Sequence, residues 1–334
     1  MENINQDLNN LSKNVDRNIE NKNFMSLMDL FEKTKLERRS RNINNIIRYW
    51  IGLLDDYLWW ILENELVVVG AWTGIWKTEI ANSIAIHNAK RGFKVNLLAL
   101  EWDPWEIYYR YIQWEINKKL AWMKYIKPQE FRLNLVDIEA IEDEVVANTP
   151  QSLRDNLKIY WKKEIPNQSR LEDIFTESVE DCDLIVLDHL HYLDYNWESE
   201  ARGITGIMKM VKMATEILRV PVVLISHLSR NLSWRPKISD LHWSSNIEKN
   251  ANTVILLNPC DSSELVNNLE DWKYYRWTEI IVAKNRTGVP VPAVFETHFN
   301  LKTKEYMNWE DFNLLSPDET NRVSIDDKID SIVF

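Results

Sequence analysis

Glycine is scarce in this chain: there are 7 among 334 residues, where an ordinary composition of roughly 7% would supply about 23. So few are hard to reconcile with the turns, helix ends and close ligand approaches that a chain this long requires. Cysteine is limited to Cys182 and Cys260, which excludes a disulfide framework and a cysteine-built zinc site and fits a reducing cytoplasm. Basic charge is outweighed, with 40 Lys and Arg against 51 Asp and Glu and a net charge of -11. That excludes a surface coated all over for nucleic acid, though not a local basic loop or the channel of an oligomer. No apolar run reaches the roughly 18 residues of a membrane-spanning helix, and the N-terminal MENINQDLNNLSK lacks a basic stretch followed by an apolar core. The expectation is a cytoplasmic protein that neither crosses a membrane nor is exported.

Tryptophan, by contrast, is in excess. The 16 tryptophans and 7 glycines together number 23, and the tryptophans fall where glycine belongs. Asn196-Trp197, Asp271-Trp272 and Asn308-Trp309 would read Asn-Gly or Asp-Gly, the dipeptides that turns prefer. Trp59-Trp60 separates two apolar segments where Gly-Gly would turn the chain. The expectation is that many of these tryptophans are UGA codons that the source cell reads as glycine; the alternative is a genuinely tryptophan-rich protein.

Residues 1–22, rich in Asn, Asp, Glu and Lys, read as a disordered tail. Residues 23–45 read as a linker helix in which Phe24, Leu27, Met28 and Phe31 repeat at i, i+3, i+4 and i+7. That narrow stripe would pack on its own domain or on a neighbouring subunit. From 46 to 310 the chain alternates strand and helix and reads as one α/β domain with a mostly parallel sheet. Buried strands are expected at Leu66 to Val69, Val95 to Leu100, Leu184 to Leu187, Val222 to Ile225, Thr253 to Leu257 and Glu279 to Ala283. Helices are expected at Lys77 to Arg91, Glu106 to Leu120, within Pro128 to Asn148, Arg170 to Glu180 and Ala201 to Leu218. TEIIVAKNRTGVPVPAVFET reads as a C-terminal β-hairpin, and 311–334 as a tail.

The stretch GAWTGIWKT, residues 70–78, nearly matches the phosphate-binding pattern G-x-x-x-x-G-K-[ST]. It follows an apolar strand and opens a helix, the setting in which backbone N–H groups and a helix N-terminus cradle phosphate. Ala71, Trp72, Thr73, Gly74, Ile75, Trp76, Lys77 and Thr78 would form that cradle, with Lys77 reaching the outer phosphates and Thr78 holding Mg2+. Taken literally, Trp76 would crowd the cradle and put an indole where phosphates lie, and Trp72 would cap it; with both as glycine the loop reads GAGTGIGKT. Asp188 ends the apolar strand of DLIVLDHLHYLD, where it could hold the metal through water or serve as a turn or helix cap. Glu101 ends VNLLALE, where it could polarise an attacking water or sit solvated in a first helical turn. His227 follows VVLIS and could sense a γ-phosphate or make a structural hydrogen bond.

Taken together, the P-loop strand, LLALE, LIVLDHLHYL, VPVVLISHLSR, RPKISDLHWSSNIEKNANTVILL and EIIVAKNRTG resemble, over about residues 46 to 300, the RecA-like motor domain of replicative DNA helicases of the DnaB type. The resemblance implies that Lys77 and Thr78 bind ATP and Mg2+, Asp188 is the second metal-side acid and Glu101 activates water. His227 stands where the family commonly has a glutamine. Lys284 and Arg286 match the pair that reaches into a neighbouring subunit's ATP, Arg286 as arginine finger. SRNLSWRPKISDLHWSSNIEK matches the segment leading into a DNA-contacting loop, so Arg230, Arg235, Lys237, His242 and Ser244 become candidate contacts to single-stranded DNA; a surface loop with scattered charges is the alternative. A hexameric ring is implied, with primase or a loader as possible partners. Residues 1–45 are too short for the family's N-terminal collar domain, which leaves room for a RecA-like ATPase that regulates or loads rather than unwinds. A nucleotide-dead interaction protein is required if Trp76 is genuine.

Overall fold

The computed structural model describes residues 26–40, 46–72, 74–101, 103–120, 125–160, 170, 173–174, 177, 181–188, 208–209, 211–212, 215–216, 219–228, 235–241, 244–260 and 275–307. The chain divides into two units, Met1–Ile46 and Ile47–Phe334. In the first, the helix α1 (Leu27–Ser40) carries the expected stripe, with Leu27, Met28 and Phe31 exposed; Phe24 lies outside the described residues.

In the second unit the elements run α2 (Gly52–Leu58), β1 (Leu66–Ala71), α3 (Lys77–Lys90), β2 (Val95–Ala99), α4 (Pro104–Leu120), α5 (Pro128–Arg132), α6 (Glu139–Ala147), α7 (Gln151–Asn156), β3 (Leu157–Ile159), β4 (Leu184–Asp188), β5 (Val222–His227), α8 (Ser244–Asn250), β6 (Thr253–Pro259), β7 (Tyr275–Asn285) and β8 (Ala293–Asn300). One sheet of eight strands has the order β3-β2-β4-β5-β1-β6-β7-β8. The six strands from β3 to β6 are parallel, and β7 and β8 add antiparallel as the expected hairpin, Val282 facing Ala293.

β1 explains why its sequence is unbroken Leu-Val-Val-Val. Every one of its residues is buried, because side chains alternate between two covered faces. Val67, Val69 and Ala71 share a core with Ile80 and Ile84 of α3, while Leu66 and Val68 share the other with Met208, Val211 and Ile247. Gly70 is fixed by packing: a Cβ there would lie 2.4 Å from a methyl of Leu241. Gly74 in the following loop has φ +83°, which favours glycine.

The structure departs from the sequence expectation at four places. The helical segment within 128–148 is two helices, α5 and α6, divided at Asn134, whose φ is 50°. β3 is an addition, because a three-residue Leu-Lys-Ile strand shows no apolar run. The short helices α2 and α7 are additions too. β7 extends beyond Glu279 to Ala283 in both directions, as its flanks pair with β8 and β6. Of the helices expected at 170–180 and 201–218, the described residues are helical; the remainder lies outside the described residues.

Candidate functional site: a nucleotide crevice at the strand ends

The parallel strands deliver their chemistry to one edge. Ala71 at the end of β1 lies opposite His227 at the end of β5, and Ala99 at the end of β2 lies opposite Asp188 at the end of β4. The Leu100 N–H donates to the Asp188 carbonyl at 3.1 Å, which carries Glu101 just past the same edge. A crevice outside the carboxyl ends of parallel strands is where open α/β sheets take ligands.

Lys77, the first residue of α3, is 4% exposed. Its ammonium donates to the carbonyls of Ala71 at 3.0 Å and Trp72 at 2.7 Å and stands 3.0 Å from His227 Nδ1. An ammonium has three protons and no acceptor, so these contacts use its full donor capacity, and Nδ1 then accepts. The cation is therefore folded back on its own cradle. Burial pulls its pKa down to about 8, against the attraction of Asp188 and Glu101.

Asp188 is 1% exposed. Burial pushes its carboxyl up to about 7; a hydrogen bond from Thr78 opposes this, the Glu101 charge adds to it, and Arg110 and Lys77 pull it back. A buried carboxyl raised in this way gains by exchanging its proton for a cation. Thr78 beside it supplies a hydroxyl, so the donor set is hard oxygen and suits Mg2+. Among the described residues no cluster of three or more His, Cys, Asp or Glu forms an all-protein metal site, consistent with a metal that would take its remaining ligands from phosphate and water.

The tryptophans of the loop pack on the two cores that cover the sheet. Trp76 stacks on Phe299 of β8, ring centroids 4.7 Å apart and planes 22° apart, and packs against the α3 face of the core. Trp72 packs against the opposite core. Aromatic stacking on Phe299 holds the Trp76 indole. Thr73 lies outside the described residues.

Four charged residues that the sequence reading missed form a chain beside the crevice. Arg110 of α4 donates from Nε to Glu106 at 2.9 Å and pairs through Nη1 with Glu79, in the first turn of α3; Glu106 in turn pairs with Arg132. Only the Glu106–Arg110 spacing of four residues was a signal for this chain of charges.

Lys284 and Arg286 lie at the other edge. The register puts Thr253 opposite both Asn285 and Val67, so the end of β7 is level with the start of β1. Lys284 donates to the Glu248 carbonyl and Arg286 to the Lys249 carbonyl at 2.7 Å, in the last turn of α8 where carbonyls are left unpaired. Of the candidate DNA contacts, Arg235 is paired with Glu279, which also accepts from Asn258 at 2.7 Å. Lys237 is exposed and Ser244 opens α8. Arg230 and His242 lie outside the described residues.

A strand, a phosphate-type loop, an invading lysine and a buried strand-end acid on a mostly parallel sheet with a C-terminal antiparallel pair define a RecA-like P-loop nucleotide-binding domain. The model of the DnaB-like helicase C-terminal domain matches residues 47–308, and the chain belongs to that family. It is 29% identical over 311 residues to a probable plasmid replicative DNA helicase of Chlamydia muridarum, covering 84% of this chain and 62% of the relative. With a probable replicative DNA helicase of Trieres chinensis the identity is 24% over 293 residues, covering 81% and 60%. The chain thus spans about three-fifths of the length of these curated relatives. A solved structure described as an ATPase domain shares the fold with a TM-score of 0.67 at 20% identity, covering 86% of this chain and 99% of that one. No described helix is long and apolar enough to cross a membrane.

Proposed function

We propose that this chain is the Mg-ATP-dependent motor of a DnaB-type replicative helicase, working on single-stranded DNA in a homo-oligomeric, hexameric ring in the cytoplasm. The observation that carries the reading is the convergence of Lys77, Thr78, Asp188, Glu101 and His227 at one edge of the sheet. Residues 46–310 are the motor, 23–45 the subunit-linking helix, and 1–22 and 311–334 tails.

Each residue then has a task. The loop from Ala71 through Trp76 surrounds the phosphates with backbone N–H groups, and Lys77 leaves the Ala71 and Trp72 carbonyls to meet them. Thr78 and Asp188 would hold Mg2+, which supplies charge neutralisation between the phosphates when bound. Glu101, coupled to Lys77 and Asp188, orients the attacking water. His227 links the γ-phosphate position to β5 through its contact with Lys77. Arg286, with Lys284, serves the neighbouring subunit, since it stands at the edge away from its own loop. Arg230, Lys237, His242 and Ser244 are the contacts to single-stranded DNA; Arg235 acts locally, its charge already matched by Glu279. Primase or a loader is the partner class suggested by family membership, and a solved structure of similar fold is described as a DnaB-like replicative helicase and its interactions with primase.

The test is ATP hydrolysis with and without single-stranded DNA, together with strand displacement on a forked duplex. DNA-stimulated hydrolysis with displacement is expected. Hydrolysis without displacement removes the helicase claim and leaves a RecA-like ATPase used for loading or regulation; no nucleotide binding removes both.

A further inference from the structure

We propose that Trp50 and Trp59, and by the same codon Trp72 and Trp76, are glycine in the protein as its own cell makes it. The backbone carries this independently of the tryptophan count. Trp59 has φ 71° and ψ -59°, and the Trp60 N–H donates to the Leu58 carbonyl at 2.9 Å. Those are the angles and the i to i+2 bond of the γ-turn with positive φ, which is rare and strained for a residue bearing a Cβ. Glycine adopts it without that clash. Trp59 is also 62% exposed, so its ring gains little from the core.

Trp50 has φ 59°, again left-handed, at the entry to α2. Its N–H and that of Tyr49 donate to the Asp55 carboxylate at 3.0 and 2.7 Å, which fixes the turn. The Trp50 indole is wedged against His87 with its Nε1 buried and unbonded, as are the Nε1 atoms of Trp114 and Trp277. Buried indole N–H groups ordinarily find an acceptor. A left-handed turn and a ring with nowhere to donate both favour glycine over tryptophan at position 50.

The test is peptide mass spectrometry on the protein isolated from its source cells, with the gene sequenced alongside. Peptides spanning positions 50, 59, 72 and 76 are expected to weigh less by the difference between tryptophan and glycine, with UGA at each codon. Tryptophan at 50, 59, 72 or 76, or UGG at any of these codons, overturns the proposal. As a second measurement, Trp59→Gly alone in the chain as written should raise the melting temperature, and a fall would contradict the strain argument. Both readouts are independent of whether the protein hydrolyses ATP, so they fail separately from the motor reading.

A different observation carries a second inference, which rests on the motor reading: we infer that Arg110 is a positioning residue for hydrolysis. Its side chain, 23% exposed, ties Glu79, two residues after Lys77 in α3, to Glu106 of α4, and Glu106 extends the chain to Arg132 at the end of α5. α4 begins three residues after Glu101. The chain of charges therefore sets Glu101 relative to the loop that holds the phosphates, and the Arg110 charge acts on Asp188 as well. Misplacing a reacting group by about 1 Å can cost roughly 100-fold.

The experiment compares Arg110→Lys, Arg110→Gln and the exchanged pair Glu79→Arg with Arg110→Glu, measuring kcat and KM for ATP and the dissociation constant of a fluorescent ATP analogue. The expected result is a loss in kcat of roughly 100-fold at unchanged analogue affinity, with partial recovery in the exchanged pair. Equal loss of affinity and kcat, or no loss of either, overturns it. A parent protein that binds the analogue yet never hydrolyses ATP removes the motor reading, and this inference with it.

Discussion

The placement of Arg286 makes a prediction that separates hydrolysis within a subunit from hydrolysis between subunits. Asn285 is level with Thr253 and Val67, while the phosphate loop starts after Ala71. From Val67 to Ala71 is four residue steps, about 13 Å at roughly 3.3 Å per residue, and β6 separates β7 from β1. An arginine side chain does not cross that distance, so Arg286 cannot serve its own loop. Arg286→Ala should lower kcat by about 10³ to 10⁵, the range of arginine fingers, while leaving ATP affinity unchanged. Lys77→Ala should abolish productive ATP binding in its own subunit yet leave Arg286 available to the next. Equal mixtures of the two inactive proteins should then regain hydrolysis, because an Arg286→Ala loop beside a Lys77→Ala subunit's intact Arg286 is a complete site; with random assembly about a quarter of the interfaces qualify. The assay is steady-state phosphate release after dissociating and reassembling the mixture. A mixture as inactive as its parts, in rings confirmed by light scattering, would refute the reasoning.

Four further outcomes concern the site and the core beneath it. Glu101→Gln should bind ATP normally while losing about 10² to 10⁴ in kcat, measured by single-turnover hydrolysis; normal turnover would remove Glu101 from the mechanism. The pH profile of kcat/KM should be bell-shaped: Asp188, raised to about 7, holds its proton and resists Mg2+ below that pH, while Lys77, lowered to about 8, loses its charge for phosphate above it. The two limbs belong to a coupled set, and a flat profile from about pH 6 to about pH 9 would contradict the assignment. Lys237→Ala should lower the slope of log affinity for single-stranded DNA against log salt by about 0.7, whereas Arg235→Ala should leave it unchanged because Glu279 already holds that charge. Ile84→Ala, at a position 1% exposed beneath the sheet, should lower stability by about 2 to 5 kcal/mol in denaturant titration without changing the slope.

The strands that hold the site were legible because burial on both faces imposes uninterrupted apolar sequence, as in Leu66 to Val69 and Leu184 to Leu187. Their end residues were legible for the same reason: Glu101, Asp188 and His227 are where apolar runs stop. β3 and the break at Asn134 were illegible because three residues, or one left-handed turn, leave no periodic trace. Arg110 was illegible for a different reason. Its partner Glu79 is one helix and one strand away, and a buried ion pair between elements is specified by the fold rather than by spacing.

Trp76 joins these two kinds of information. Local pattern says that a phosphate cradle needs glycine there, and that reasoning placed the indole among the phosphates. In the fold the ring stacks on Phe299, contributed by the last of the described strands. With tryptophan at position 76 the strand and the Lys77 contacts remain in place. Those persisting contacts do not by themselves reveal which residue the cell inserts. The left-handed turns at Trp50 and Trp59 do bear on that choice, because no side-chain rearrangement relieves a Cβ held at positive φ. The physical case for glycine in the phosphate loop is thus strongest outside it, at two turns with no part in the chemistry.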